Sequence, residues 1–236
     1  MADGIYRFSG AVYHKFDDFS AVKEIIAAAG SRVKIEAIGT WPGVDFSIMV
    51  ENGGELELIV IDIETSDTRF NTTVELADNA SFDFRLGSLS EEQSAKLYEI
   101  NVNQKGRNSR STVSMLGVAT DYARLTFTGF TRINKGAVKS SARQEGRIAS
   151  LSEHVKASCS PALLIDENDV TASHGAALGQ IDENQLFYLM SRGLTRQEAE
   201  TIITLGYLTP VIGRLESAED RSRLSAAIES KVIKDD

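Results

Sequence analysis

The chain contains few of the residues that mark specialised classes of protein. Its 236 residues include one cysteine, Cys159, and three prolines. A single thiol excludes an internal disulfide, and it excludes a zinc or iron–sulfur site built from four cysteines of this chain. Any cluster held here would need ligands from a partner or from a second copy. The shortage of proline leaves long stretches free to pair as β-strands.

Long apolar runs and an excess of basic residues are also absent. No run approaches the ~20 apolar residues of a membrane-spanning helix. The first ten residues, MADGIYRFSG, lack the basic and then apolar pattern of a secretory signal. The net charge of −9 predicts an acidic surface that repels phosphate backbones. We therefore expect a cytoplasmic protein that binds neither nucleic acid nor membranes.

Common catalytic motifs are missing as well. The sequence has no Walker A motif, no GxGxxG, no HExxH and no GxSxG. Its basic residues are scattered rather than grouped. These absences predict a protein that is not an enzyme.

The middle of the chain has the alternating pattern of β-strands. Between residues 31 and 180, short stretches rich in Val, Ile, Thr and Phe alternate with Gly, Asn and Asp. In the stretch 55–62, ELELIVID, the residues Leu56, Leu58 and Val60 fall on one face of the predicted strand. The pattern predicts a β core over 31–180, and by itself leaves a sandwich, a barrel or a β-helix open.

The two ends of the chain are predicted to be helical. Residues 1–30 read as an entry segment in which 21–29 form a short helix that ends at a glycine. Residues 181–236 read as a helical subdomain, in which Asp182 is the N-cap of a helix over 183–191.

Further helix signals follow in the C-terminal segment. Thr195 and Glu198 form the capping-box pattern of a second helix. Pro210 predicts either a third helix start or a kink, and Ser217 precedes a fourth predicted helix.

Residues 173–193, SHGAALGQIDENQLFYLMSRG, carry the most informative pattern. They join a lone histidine among small residues to an amphipathic helix that ends in Ser-Arg-Gly. The order Ser-His-Gly-Ala, Gly-x-Ile-Asp, Leu-Phe-Tyr-Leu and Ser-Arg-Gly resembles the C-terminal signature of the SufB/SufD family, the scaffold proteins of SUF iron–sulfur cluster assembly. The resemblance is strongest over 125–210. It implies a mainly β fold, a right-handed parallel β-helix core with a C-terminal α-helical tail.

His174 is the first candidate site residue. In a Ser-His-Gly turn, a neutral imidazole could reach a metal, whereas the ordinary alternative is a histidine that bonds a turn carbonyl. In SufD-type relatives the matching histidine lies near the interface between two scaffold subunits and is implicated in cluster formation. Ser173, Gly175 and Ala176 are the predicted subunit-interface turn, because small residues let a second backbone approach.

Cys159 is the second candidate ligand. It precedes His174 by fifteen residues and is predicted to lie one coil earlier; its ordinary alternative is a small buried hydrophobic residue. SufB-type relatives place their assembly cysteine near residues 144–147, where this chain has none, so the resemblance is to SufD. We expect no cofactor bound stably by this chain alone. The resemblance leaves open a transient iron–sulfur cluster shared at a subunit interface.

A third possible site is an acidic metal patch, for which a solvated loop is the alternative. It would consist of Glu153, His154, Asp166, Glu167 and Asp169.

The family resemblance also implies partners. In the family the C-terminal region docks SufC, an ABC-type ATPase without a membrane domain, and the scaffold partner would be a SufB-like subunit or a second copy. The residues expected to bind the ATPase lie on the predicted first helix and just beyond it: Gln185, Phe187, Tyr188, Arg192, Gly193 and Leu194. The alternative is that the apolar residues of this helix cap the open end of the β core.

Three functions are consistent with the sequence. The first is a SufD-like scaffold that couples a SufC-like ATPase to cluster assembly. The second is a β-helix carbohydrate-active enzyme. The third is a degenerate member that binds the ATPase and assembles nothing.

Overall fold

The computed structural model describes residues 4–232, which form a parallel β-helix followed by three helices. Each coil contributes one strand to each of two seven-stranded parallel sheets. The odd-numbered strands form sheet 1: β1 (Ile5–Phe8), β3 (Glu24–Ala27), β5 (Val44–Val50), β7 (Thr68–Leu76), β9 (Ala95–Gln104), β11 (Arg124–Ile133) and β13 (Lys156–Ile165). The even-numbered strands form sheet 2: β2 (Ala11–Phe16), β4 (Arg32–Ile38), β6 (Glu55–Asp62), β8 (Ser81–Ser90), β10 (Arg110–Ala119), β12 (Ser140–Ser150) and β14 (Val170–Gln180). The predicted β-helix core with a helical tail is confirmed.

The interior of the β-helix is built from columns of side chains that are in register from coil to coil. In sheet 1, one column runs Val44, Phe70, Tyr98, Phe127 and Cys159. The rings of Phe70 and Tyr98 lie 6.3 Å apart, and those of Tyr98 and Phe127 lie 5.8 Å apart. Burying these rings supplies the main stabilisation of the coils.

Three helices follow the last strand: α1 (Glu183–Ser191), α2 (Arg196–Ile212) and α3 (Ala218–Val232). The α2 and α3 helices cover the outer face of sheet 2, where Leu208 and Ile228 pack with Ile59 and Ile61 of β6. Because that outer face is covered, β6 buries apolar side chains on both sides.

The first 30 residues differ from the prediction. They contribute β1, β2 and β3 to the two sheets, and the segment predicted as a helix over 21–29 contains the strand β3. Ile25 and Ala27 point into the core, and β3 pairs with β1 and β5. The helix prediction was wrong because pairing with the strands on both sides outweighs helix propensity, even for alanine, the best helix former. Residues 1–3 of the predicted entry segment lie outside the described residues.

The helical tail agrees with the prediction at its start and differs later. The Asp182 side chain accepts from the Asn184 N–H (2.9 Å), and Thr195 and Glu198 form the predicted capping box. Pro210 neither starts a helix nor breaks one: α2 continues through it to Ile212. Pro210 lies in the last turn, where it removes one N–H donor to the carbonyl four residues earlier and only two helical residues follow it. The helix after Ser217 is therefore the third within residues 4–232, not the fourth.

The two ends of the β-helix differ in the length of their edge strands. At the N-terminal end, β1 and β2 have 4 and 6 residues, whereas β13 and β14 at the C-terminal end have 10 and 11. Short edge strands discourage pairing with another chain, and long edge strands invite it. The C-terminal end is thus the better place for a second sheet to add.

Candidate functional site

His174 lies in the middle of β14 rather than in a turn, so the turn prediction for Ser173, His174, Gly175 and Ala176 was wrong. The small residues that suggested a turn instead belong to an exposed edge strand. His174 is the last member of a column of sheet 2 in which Phe84, Val113 and Gln144 precede it. This column is apolar up to Val113 and becomes polar in the last two coils.

Cys159 occupies the matching place in sheet 1. It follows Phe127 in the interior column and belongs to the same coil as His174, in the opposite sheet, not to the coil before. Its Sγ fills the space where a side chain at Gly146 would begin. Burial raises the pKa of the Cys159 thiol, so it stays protonated in the absence of a metal.

The last coil is open to solvent beside these two residues. All of β14 beyond Ala172 is exposed, including Leu178 at 50%. A groove of about 400 Å³ lies over the paired strands β12 and β14. It is lined by Arg143, Gln144, Glu145, Gly146, Arg147, Ser173, His174, Gly175, Ala176 and Ala177. The open coil therefore exposes small residues, one histidine and two arginines together.

No group of three His, Cys, Asp or Glu side chains within residues 4–232 is close enough to hold a metal ion. The predicted acidic patch does not form, because its residues lie at opposite ends of β13. His154 stacks on Tyr122 before the strand, with ring centroids 4.6 Å apart. Asp166 pairs with Arg132 after it. Within the described residues, neither His174 nor Cys159 belongs to a group of side chains that could hold a metal ion.

Glu167, another member of the predicted patch, instead stabilises a corner of the β-helix. Backbone N–H groups of Gly136 and Asn168 donate to its carboxylate, at 2.9 and 2.8 Å. These bonds, with Lys135, lower the pKa of Glu167 to about 2. Its role in this structure is to fix the turn between β11 and β12.

Because the pKa of Glu167 is lowered in the folded protein, we expect the Glu167→Gln substitution to destabilise the protein in a pH-dependent way. Because the folded-state pKa lies below the unfolded value, the carboxylate stabilises the fold above the unfolded pKa, and this contribution is lost as pH falls from about 5 to about 2. The variant should unfold at a lower temperature than wild type near neutral pH, and the difference should shrink with acidification. Melting curves across that range measure it; a difference that does not change with pH would contradict it.

The α1 helix exposes the side chains predicted to bind a partner. Phe187 is 74% exposed and Tyr188 is 55% exposed, whereas Leu186 is the buried residue of this helix. The Arg192 guanidinium lies over the Tyr188 ring, 5.0 Å from its centroid, and donates to the Tyr188 hydroxyl (2.8 Å). Phe187 and Tyr188 therefore face solvent and are not used to cover the open coil.

The remaining predicted docking residues surround this pair. Gln185 lines a shallow, largely apolar hollow of about 400 Å³ with Tyr188, Leu189 and Ile203. Gly193 ends the helix with φ +95°, a conformation that favours glycine, and Leu194 is half-buried beside it. Exposed aromatic residues next to an arginine are typical of protein interfaces.

Two arrangements of neighbouring residues were not predicted from the sequence. Gln144 lies one coil below His174, and a row of aromatic and cationic residues follows one corner of sheet 1. Both depend on which residues neighbour each other in adjacent coils, and no strict repeat in the sequence reveals that register.

None of the three described helices is long and apolar enough to span a membrane.

Comparison with known proteins gives the family. A family model described as "SUF system FeS cluster assembly, SufBD core domain" matches residues 7–207. The chain is 36% identical over 162 residues to the iron–sulfur cluster assembly protein SufD of Bacillus subtilis (strain 168), covering 69% of this chain and 37% of that protein.

Two further relatives have the same character. A SufBD family protein of Mycobacterium tuberculosis (strain H37Rv) is 26% identical over 228 residues, which is 93% of this chain and 27% of the relative. SufD of Escherichia coli (strain K12) is 28% identical over 111 residues, which is 47% of this chain and 26% of the relative. The chain thus spans little more than a third, or less, of these relatives. With its parallel β-helix and the match over residues 7–207, the chain belongs to the SufBD family of SUF iron–sulfur cluster assembly proteins.

Proposed function

We propose that this chain is a SufD-like scaffold subunit of an iron–sulfur cluster assembly complex. In this proposal the open C-terminal coil pairs with the matching coil of a second SufBD-type subunit, and α1 docks a SufC-like ABC-type ATPase. The observation that carries the proposal is the pair of long edge strands, β13 and β14, whose outer edges have no partner strand within residues 4–232. They contain both candidate ligands, Cys159 and His174.

The geometry of the open coil supports pairing with another β-helix. An unpaired edge strand presents a row of free N–H and C=O groups, and ten or eleven residues offer several bonds at once. Small residues, namely Gly175, Ala176, Ala177 and Gly179, leave room for an approaching backbone. Pairing there would cover Leu178, which is half exposed in the single chain.

The same pairing would bring ligands to the candidate metal site. His174 and Cys159 are too few to hold an iron–sulfur cluster, which needs several thiolate or imidazole ligands. A second subunit at the open coil would add its own side chains beside them. The cluster is then held by ligands from both chains as the product of assembly, and it is not a permanent cofactor of either chain. Metal binding would also displace the proton that burial retains on the Cys159 thiol.

A scaffold of this kind couples two surfaces on one chain. The α1 helix follows β14 after a two-residue connection, so the proposed docking site for the ATPase adjoins the proposed subunit interface. Phe187, Tyr188 and Arg192 would bind the ATPase, and movement of the ATPase would be passed to β14 through this short connection.

Anaerobic reconstitution with ferrous iron and sulfide tests the assembly role. The protein is purified with its SUF partners, loaded and desalted, and the retained iron and the charge-transfer absorbance are measured. His174→Ala should lower the retained iron about 10-fold or more. His154→Ala, which removes a histidine that stacks on Tyr122 in the turn before β13, should have no effect. Equal retention in wild type and His174→Ala would refute the assembly role of His174. ATPase co-purification without any cluster formation by wild type would indicate the degenerate ATPase-binding module.

A further inference from the structure

One corner of sheet 1 carries a grid of side chains that the cluster-assembly proposal does not use. Three consecutive coils each place one residue in the turn before a strand of sheet 1 and one residue at the first position of that strand. From the earlier to the later coil these pairs are Gln93 and Ala95, Tyr122 and Arg124, and His154 and Lys156. With Asp67 they line an open cavity of about 470 Å³. Mononucleotide-sized ligands occupy cavities of this order.

The aromatic part of the grid is an unfinished stack. The rings of Tyr122 and His154 are parallel to within 2°, with centroids 4.6 Å apart. Tyr122 is 61% exposed. The coil before it carries Gln93 and the small Ala95, so among the described residues no ring lies against the Tyr122 face that points toward that coil. A flat ligand ring could take that place.

The cationic part of the grid is unpaired. Arg124 and Lys156 are register partners on adjacent strands, which places them about 4.8 Å apart at the backbone. Within residues 4–232 neither makes an ion pair or a side-chain hydrogen bond, unlike most other cations of this acidic chain. Two neighbouring free cations favour an anionic group such as a phosphate.

The far side of the cavity offers polar groups suited to the edge of a base. Asp67 uses one carboxylate oxygen to accept from the Ala95 N–H (2.8 Å), which fixes the side chain and leaves its other oxygen available. The exposed amide of Gln93 can both donate and accept. A carboxylate would repel a phosphate there, so it sets the orientation: base toward Asp67, phosphate toward Arg124 and Lys156.

We propose that this corner binds a purine mononucleotide, with the base stacked on Tyr122 over Ala95 and the phosphate held by Arg124 and Lys156. Lys156 begins β13 of the open C-terminal coil, but the site uses neither His174 nor Cys159 and does not depend on cluster assembly.

Titration with adenosine 5′-monophosphate, followed by amide NMR of the full chain, tests this proposal. Saturable shifts should appear at Ala95, Tyr122, Arg124 and Lys156, with half-saturation at about 0.1–1 mM. Tyr122→Ala and the double variant Arg124→Gln/Lys156→Gln should each weaken binding at least about fivefold. Arg107→Gln, which removes an exposed arginine at the opposite corner, is the matched control and should leave binding unchanged.

Two fragments of the ligand decide between the proposed site and simpler alternatives. Adenosine lacks the phosphate and ribose 5-phosphate lacks the base, so each should bind more weakly than the nucleotide. If ribose 5-phosphate shifts the same amides equally well, the corner is only an anion-attracting surface and the proposal fails. It also fails if adenosine binds as well as the nucleotide, or if the nucleotide causes no shifts at millimolar concentration.

Discussion

Replacing Asp62 by asparagine is expected to lower the free energy of unfolding by about 3–5 kcal/mol. Asp62 and Lys96 form an ion pair inside the protein, Oδ1 to Nζ 2.6 Å, and both side chains are completely buried. The second Asp62 oxygen accepts from the Tyr98 hydroxyl (2.7 Å) and the Thr68 hydroxyl (2.6 Å). The asparagine would leave the Lys96 ammonium buried without a counter-charge, while the shape of the site stays the same.

A second variant separates charge from packing. In Asp62→Asn/Lys96→Met the unpaired charge is gone, and the amide oxygen can still accept from Tyr98 and Thr68. We expect this double variant to recover most of the lost stability, with a remaining deficit of about 1–2 kcal/mol for the donor lost by the Leu89 carbonyl. Urea unfolding of the three proteins measures both values. A single variant within about 1 kcal/mol of wild type would contradict the role of the pair.

Replacing Ala176 by proline is expected to weaken pairing with a second SufBD-type subunit by about 100-fold or more, which corresponds to about 2.8 kcal/mol. The Ile181 N–H donates to the Ser150 carbonyl (3.0 Å), so alternate residues counted back from Ile181 bond to β12. Ala176 is one of the residues in between, whose N–H and C=O point to the open edge. Proline there removes an edge donor and places a ring where a partner strand would lie.

The matched control is Ala11→Pro at the opposite edge of the same sheet. The Gly10 carbonyl bonds to Arg32 of β4, so the next residue, Ala11, also points to an open edge, but one whose strand has only 6 residues. Analytical ultracentrifugation of the SufBD-type assembly, with melting temperatures of each variant, tests this. Unchanged association by Ala176→Pro, in a protein that melts like wild type, would place the subunit interface elsewhere.

The sequence predicted where the strands lie more accurately than it predicted which strand faces the helices cover. Alternation in 55–62 identified the strand β6, but Ile59 and Ile61 are buried on the face opposite Leu58, beneath α2 and α3. A period-two pattern reports which residues alternate and not whether a second layer covers the outer face. The strand β3 was missed because it has only four residues, which is too short to show an alternating pattern. The run of alanines beside it favoured a helix instead.

The candidate site was also predicted only in part, because the sequence does not show which residues of different coils are neighbours. Residue chemistry and the family resemblance identified His174 and the exposed residues of α1, which lie in one continuous motif. They did not show that His174 lies within an edge strand or shares a coil with Cys159. Arg124 and Lys156 are 32 residues apart in the chain and adjacent in the fold. The uneven coil length of this β-helix hides such neighbours from any search for a fixed period.

Native co-purification from anaerobic cells is the strongest test of the proposed scaffold function. The tagged protein is compared with its Tyr188→Ala/Arg192→Ala variant under low-salt, reducing conditions, because these two side chains form the exposed pair on α1. We expect an ABC-type ATPase and a SufBD-type subunit to co-purify with wild type, and we expect the double variant to lose the ATPase but keep the scaffold subunit. Absence of both partners from the wild-type preparation would contradict the proposed scaffold function, although the family and the fold would stand.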